Sequence, residues 1–404
     1  MSARASAPLP AAAVLPAGSD FSLVLGGPLF QLLRRTHLSD DLLSSAHRRI
    51  VVISLLAWLP LLVLSVMDGR ALSGVHVPFL RDVEVQVRFL VALPLLIAAE
   101  LVVHRRMQPM VTGFLDRHLI PPSAIARFES SLASAYRLRN SLLAEVMLVV
   151  FVYVVGVLIV WRHYTVLDTT SWYATSSAQG STLSIAGMWY GYLSLPIFQF
   201  ILCRWYFRLF IWIRFIWQVS RIELRLVPTH PDRVGGLGFL GNAVYAFALL
   251  AVAHGAIVAG QLGNRILFLG TSLPQYKAEI ASVVVFTLCF VLGPLLMFAP
   301  QIAQAKRTGL REYGTLAERY VREFDAKWLR GGAPPDEPLV GSADIQSLAD
   351  LGNSYEIIKG MRMAPLSRDT IVFVVIATLA PIAPLLLTLM PLEQLLKTLL
   401  GVLF

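Results

Sequence analysis

The sequence predicts an all-α, polytopic integral membrane bundle of about seven transmembrane helices, N-terminus inside and C-terminus outside, with a small cytoplasmic helical cap. Three observations predict it. Hydrophobic residues make up 56% of the chain and charged ones only 15%, a balance unlike that of a soluble chain of two or three domains. Several charge-free runs reach about 20 residues, enough to cross roughly 30 Å of hydrocarbon as helix. Finally, 27 of the 34 Lys and Arg residues fall in alternate loops and seven in the others, which marks the first set as cytoplasmic. The net charge of +9 is spread between hydrophobic runs. It therefore points to anionic lipid at the membrane surface as a partner, not to nucleic acid.

Four regions follow in order: a disordered tail (1–20), a membrane bundle holding spans one to six (21–300), a cytoplasmic helical segment (301–369), and a seventh span with an amphipathic tail (370–404). The tail is rich in Ala, Pro and Ser and has no continuous apolar core of a signal peptide. Phe21 to Arg35 reads as an interfacial helix ending in Arg34-Arg35. The spans are Ile50–Met67, Arg88–Val103, Ser141–Trp161, Leu183–Cys203, Phe239–Gly260, Ile280–Pro300 and Ile371–Met390. The second is short and carries Pro94 and Glu100; a re-entrant second segment would leave six crossings.

Between spans two and three, Pro121-Pro122-Ser123 stops one helix and starts another, which can run from Ala124 through Arg139 into span three. The loop Tyr164 to Thr182 is Ser/Thr-rich, with Trp172 and Tyr173 suited to the membrane interface. After span six, Leu310, Tyr313, Ala317, Tyr320, Phe324 and Trp328 recur at three- and four-residue steps among charges, an apolar stripe that must be covered. Span six can continue into this stripe as one helix. Ser342 can cap a second helix bearing Ile345, Leu348, Leu351, Tyr355 and Ile358. The two either cover each other or offer a homo-oligomer contact through 301–330. Pro381, Pro384 and Pro391 kink the seventh span, and the tail from Leu392 lies in the interface or folds back.

The richest chemistry lies between Cys203 and Gly241. If that stretch is helical, Arg214, Arg221 and Arg225 share a face and Arg204 and Arg208 form a second pair four apart, with Trp and Phe rings between them. Such a surface suits lipid phosphates or a vestibule attracting an anionic solute. Thr229-His230-Pro231-Asp232-Arg233 follows, with Gly235, Gly236 and Gly238. Thr229 and Asp232 have capping-box spacing, Pro231 suits a first helical turn, and the glycines permit positive φ. Free amides beside Arg233 and His230 form a candidate anion site, and the same residues read equally as a rigid re-entry turn into the next span. Glu100, Glu145 and Asn242 lie at the same depth as Arg204 and Arg208, an inner polar cluster of either Glu–Arg staples or a solvated cavity. His254 and Gln199 read as hydrogen-bonded core residues.

No His, Asp, Glu or Cys grouping has metal spacing, no cofactor fingerprint is present, and no Ser or Cys sits in a nucleophile motif, so no catalytic residue is assigned. Cys203 and Cys289 both fall in apolar runs and form no disulfide framework. His-Pro-Asp before glycines is shared with the J-domain of co-chaperones, but here a charge-free span follows in place of a soluble helix. The Arg/Trp-rich helix running into Thr-His-Pro-Asp-x-x-Gly-Gly-Leu-Gly, over Arg204 to Leu240, and the Pro-rich apolar end from Met361 resemble an uncharacterised family of bacterial inner-membrane proteins. The resemblance implies a multi-pass protein of the bacterial inner membrane and no activity. Two functions remain open on the residues: a transporter or channel whose path is lined by the inner cluster, or a non-catalytic scaffold or sensor binding anionic lipid and a cytoplasmic partner. A headgroup enzyme using His230 and Asp232 as acid and base is the third and has least support.

Overall fold

A computed structural model describes residues 21–28, 31, 46–161, 171–177 and 180–389 of the 404. Within them the chain is helical apart from one two-stranded hairpin, β1 (Ala174–Ser177) and β2 (Gly180–Leu183). The helices are α1 (Ala46–Met67), α2 (Val83–Asp116), α3 (Ile125–Arg139), α4 (Leu142–Phe151, continued by Val152–Trp161) and α5 (Ile185–Val219), then α6 (Leu237–Leu269), α7 (Leu273–Leu329), α8 (Ala343–Lys359) and α9 (Arg368–Leu379). Five of these, α1, α2, α5, α6 and α7, are long and apolar enough to cross a membrane, and the bent pair formed by α3 and α4 makes a sixth. The tail 1–20, the end of the expected 21–35 helix, residues 164–170 and 178–179 of the 164–182 loop and the tail from 392 lie outside the described residues.

The start of α1, the start of α4 and the Arg204–Arg208 part of α5 meet around Glu100 at one level of the bundle, called the basic end below. Packing of α6 against its neighbours depends on small residues. A methyl group at Gly260 would press on the Glu84 backbone and one at Gly263 on Val83, so α6 lies directly against the start of α2. On another face, Gly255 abuts the Thr378 carbonyl of α9. Pro365 meets Gly241 and Leu385 meets Gly263, so the segment around α9 follows α6 along most of its length. One face of α1 buries Ala57, Leu61 and Ser65, and the other leaves Leu55, Leu56 and Leu59 exposed, as a lipid-facing helix requires.

Several expectations are corrected. The second span is not a short segment: α2 has 34 residues, because a wide, π-type turn at Arg88–Ala92 places Pro94 just beyond it, at the head of the next helical stretch, where its missing N–H costs nothing. The expected seventh span is divided. α9 stops after 12 residues and a tighter turn, Ala383–Thr388, follows the break at Pro381. α3 does not run straight into α4: they meet at 48°, since Ser141 caps α4 by accepting from the Ala144 N–H at 3.3 Å. Residues 21–27 are not a surface helix either. Phe21, Ser22, Leu23 and Val24 are buried in a non-helical stretch that plugs the basic end, Phe21 stacking on Phe215 at 5.5 Å. Gly26 and Gly27, at φ +128° and +90°, give that stretch its turn.

α7 is a single rod of 57 residues, about 85 Å long at ~1.5 Å per residue. Its outer half carries the apolar stripe, and α8 covers it: Tyr320 donates to the Asp344 carbonyl at 3.2 Å and Trp328 Nε1 to the Asp344 carboxylate at 3.0 Å. Ser342 caps α8, accepting from the Asp344 N–H at 3.1 Å.

Candidate functional site

Two buried polar clusters lie along α2, one at its head and one near its middle. At the basic end Glu100 is surrounded by three guanidiniums. Arg49 of α1 reaches its Oε2 at 2.5 Å, while Arg208 and Arg204 of α5 reach Oε1 at 2.7 and 3.5 Å. Arg204 also bridges to Glu145 of α4 at 3.3 Å. All five are below a tenth exposed. The expected staple between Glu100, Glu145, Arg204 and Arg208 is therefore present, and four helices are tied by it. Asn242 is exposed and takes no place in it. Arg49 was not foreseen, because in the sequence it stands among the charges before span one. The space beside the cluster is only about 10 Å³, walled by Leu23, Arg139 and Phe207, room for one water at most. The solvated inner cavity is thus not what the geometry holds; the plug at 21–27 fills that end.

The stretch after Arg208 differs from its expected form. α5 ends at Val219, because Gln301 of α7 donates to the Ser220 and Ile222 carbonyls at 2.6 and 2.8 Å and so takes over the freed helix end. Arg221 and Arg225 consequently lie beyond the helix and share no helical face with Arg214. Arg214 reaches Ser134 of α3 at 3.4 Å, Arg221 stacks over Trp217 at 5.4 Å, and the Arg225 N–H donates to the Leu119 carbonyl at 2.8 Å.

Asp232 caps no helix. Its carboxylate accepts from the N–H groups of Val234, Gly236 and Gly238 at 2.9, 3.1 and 2.8 Å, with His230 Nδ1 beside it at 2.9 Å. Arg233, Gly235 and Gly236 take φ of +58°, +71° and +99°, which curls the backbone into this nest. The anion site foreseen here is occupied by the chain's own carboxylate. Arg362 locks the loop, donating from its backbone N–H to the Arg233 carbonyl at 2.8 Å and from Nη2 to the Asp232 carbonyl at 2.9 Å. Burial would raise the Asp232 pKa, but the three N–H groups and His230 outweigh it and hold the carboxyl below its usual range. A lowered folded-state pKa adds stability that is complete above about pH 4 and fades as pH falls through the folded value. Asp232→Ala is expected to cost about 1.5–3 kcal/mol at neutral pH, and the difference from wild type should shrink in acid. Denaturation curves across pH check this; a gap that widens on acidification would refute the assignment.

The second cluster lies at the far end and was missed. Asp82, buried at the head of α2, accepts from Trp172 Nε1 and Asn264 Nδ2, both at 2.8 Å, and from the Val85 N–H at 3.1 Å. Arg88 donates to Glu84 and to the Tyr190 hydroxyl and lies 5.8 Å over the Phe198 ring. Trp172, expected at the interface, is fully buried against Phe79 and Tyr190. Asp82, Glu84, Arg88, Tyr190 and Phe198 wall a cavity of about 460 Å³ between α2, α5 and α6, together with Gln199, Gln261, Asn264 and Arg265. The amide oxygen of Gln199 is buried against Gly156 of α4 with no hydrogen-bond partner among the described residues, so it is not the paired core contact expected. Two π-type turns, Arg88–Ala92 and Tyr190–Ser194, bring Arg88 and Tyr190 together; such turns widen a helix and favour functional positions. The signal in the sequence was the alternation Asp82, Glu84, Gln86, Arg88, polar at every second place before an apolar run. His254 is the satisfied core histidine expected, between the Leu250 carbonyl at 2.7 Å and the Tyr206 hydroxyl at 2.8 Å.

Among the described residues no group of three or more His, Cys, Asp or Glu could hold a metal ion. No family model, characterised protein or solved structure matches this chain.

Proposed function

We propose that the chain is a seven-span transporter of the bacterial inner membrane that admits a small solute, bearing both positive and negative groups, from the outer face. The cavity at the far end carries this reading. At about 460 Å³ it falls in the range of ligand sites. It offers a carboxylate on Glu84 and guanidiniums on Arg88 and Arg265, with Tyr173 and Phe198 as apolar walls. The distribution of Lys and Arg supports orientation with the basic end inside. The contact of the 365–385 stretch along α6 supports its counting as a seventh crossing, and the Thr-His-Pro-Asp resemblance supports the bacterial inner membrane. The Glu100 network and the plug at 21–27 act as the closed inner gate, so the conformation is the outward-facing one of an alternating-access cycle.

The reading is checked with a panel of small zwitterions. At least one is expected to raise the unfolding temperature of the solubilised protein and to accumulate in proteoliposomes. Gln261→Ala, an exposed position on the cavity wall, should weaken both effects while leaving the ligand-free unfolding temperature as it is. Failure of the whole panel to stabilise or cross would remove the transport reading and leave the scaffold or sensor alternative. That alternative draws on the α7–α8 arm, where Leu316, Val321 and Ile345 stay exposed as a surface for a partner or a second copy.

A further inference from the structure

We propose that the seam between α3 and the last turns of α5 is a binding site for a phospholipid with an anionic headgroup. The inference is independent of the transport reading. Phe210, Arg214 and Trp217 follow one another at steps of four and three on α5, Arg221 just beyond the helix lies over the Trp217 ring at 5.4 Å, and all four are exposed. The two rings keep about half their surface, Phe210 at 52% and Trp217 at 47%. Rings and guanidiniums thus alternate on one surface, which suits a molecule that is apolar at one end and anionic at the other. Beside it runs a groove of about 450 Å³ lined by Arg127, Ser130, Ser131, Trp217, Gln218 and Arg221, with Ala126 and Ile222 completing its wall.

No carboxylate lines this groove, and among the described residues neither Arg127 nor Arg221 forms an ion pair. Both guanidiniums are therefore available to a phosphate diester, with the Ser130 hydroxyl of the same groove as a further donor. A free phosphate would use the guanidiniums but leave Phe210 and Trp217 uncovered, whereas a phospholipid covers both. The phosphate diester is the part recognised, and the acyl chains provide the rest.

Native mass spectrometry of the detergent-purified full chain, titrated with phosphatidylglycerol or phosphatidylcholine, tests the site. Phosphatidylglycerol should be retained in preference to phosphatidylcholine. The Arg127→Ala/Arg221→Ala double variant should bind it about 30-fold more weakly, each arginine near an anionic surface being worth roughly a factor of five. Trp217→Ala, which removes no charge, should also weaken retention. Arg105→Ala/Arg307→Ala, two exposed arginines outside the groove, should not. Equal retention of both lipids, unchanged phosphatidylglycerol binding by a folded Arg127/Arg221 variant, or an equal loss in the Arg105/Arg307 variant would overturn the proposal. Displacement of the lipid by excess inorganic phosphate, with Trp217→Ala silent, would assign the groove to a free anion and overturn it equally.

Discussion

Glu100→Ala is expected to be the most damaging single substitution in the chain, costing about 3–5 kcal/mol. The glutamate is the shared partner of Arg49, Arg204 and Arg208. Its removal leaves three buried guanidiniums close together with only Glu145 near one of them. Their repulsion adds to the cost of their dehydration, since neither can be relieved by proton loss from a guanidinium at ordinary pH. Arg208→Ala should be milder, because Glu100 keeps two cationic partners. A triple change of Glu100, Arg49 and Arg208 to leucine should recover much of the loss, as buried ion networks replaced whole by apolar groups often do. Unfolding of the purified variants in a mild detergent orders the three. An alanine variant at Glu100 as stable as wild type would mean that water reaches the cluster.

Gly255→Val comes next. The Gly255 Cα lies against the Thr378 carbonyl, and any side chain there would drive into backbone, which cannot swing away as a flexible side chain can. Overpacking of this kind costs about 1–3 kcal/mol, and the upper end is expected because two helix backbones must separate. The damage should be local to α6 and α9: faster backbone hydrogen exchange along 368–379, with the Glu100 network intact. Gly352→Ala is the matching control, since nothing stands within 4 Å of the added methyl group. In the middle of α8 it should gain about 0.5–1 kcal/mol from helix propensity. If both glycine changes behave alike, the α6–α9 contact is not as close as described.

The membrane-embedded, all-helical character was legible because hydrophobic runs report their solvent directly. The Glu100–Arg204–Arg208–Glu145 set was legible too, since charges at equal depth in lipid have few partners other than each other. Arg49 was hidden by its place in a basic run, where it looks like one of several cytoplasmic charges. The limits of α5 were hidden for a different reason. Its end depends on Gln301, some 80 residues away in sequence, whose amide takes the carbonyls at 220 and 222. The nest around Asp232 shows a third kind of loss. Positive φ at Gly235 and Gly236 was foreseeable, but which anion fills the curled amides is decided by the side chain nearest them, and that is the loop's own aspartate. The far-end cavity combines residues from α2, α5, α6 and the loop before β1, and no local pattern contains it.

Arg88 and Glu100 belong to the same helix, about 18 Å apart along its axis. Phe89, Ala92, Leu93, Leu96 and Ile97 between them are all buried and apolar. Along α2 itself that stretch offers no polar side chain to link the two clusters. In the transport cycle proposed above, a turn or slide of α2 that re-sorts the partners of Arg88 would also displace Glu100 from its guanidiniums. Reciprocity would then make whatever free energy a solute gains from one placement of α2 equal to what the Glu100 network receives, and loosening that network would return it as a change in affinity. On that reading the helix is a crankshaft between two charge sets, and the wide turn at Arg88–Ala92 is the place where its throw would be adjusted.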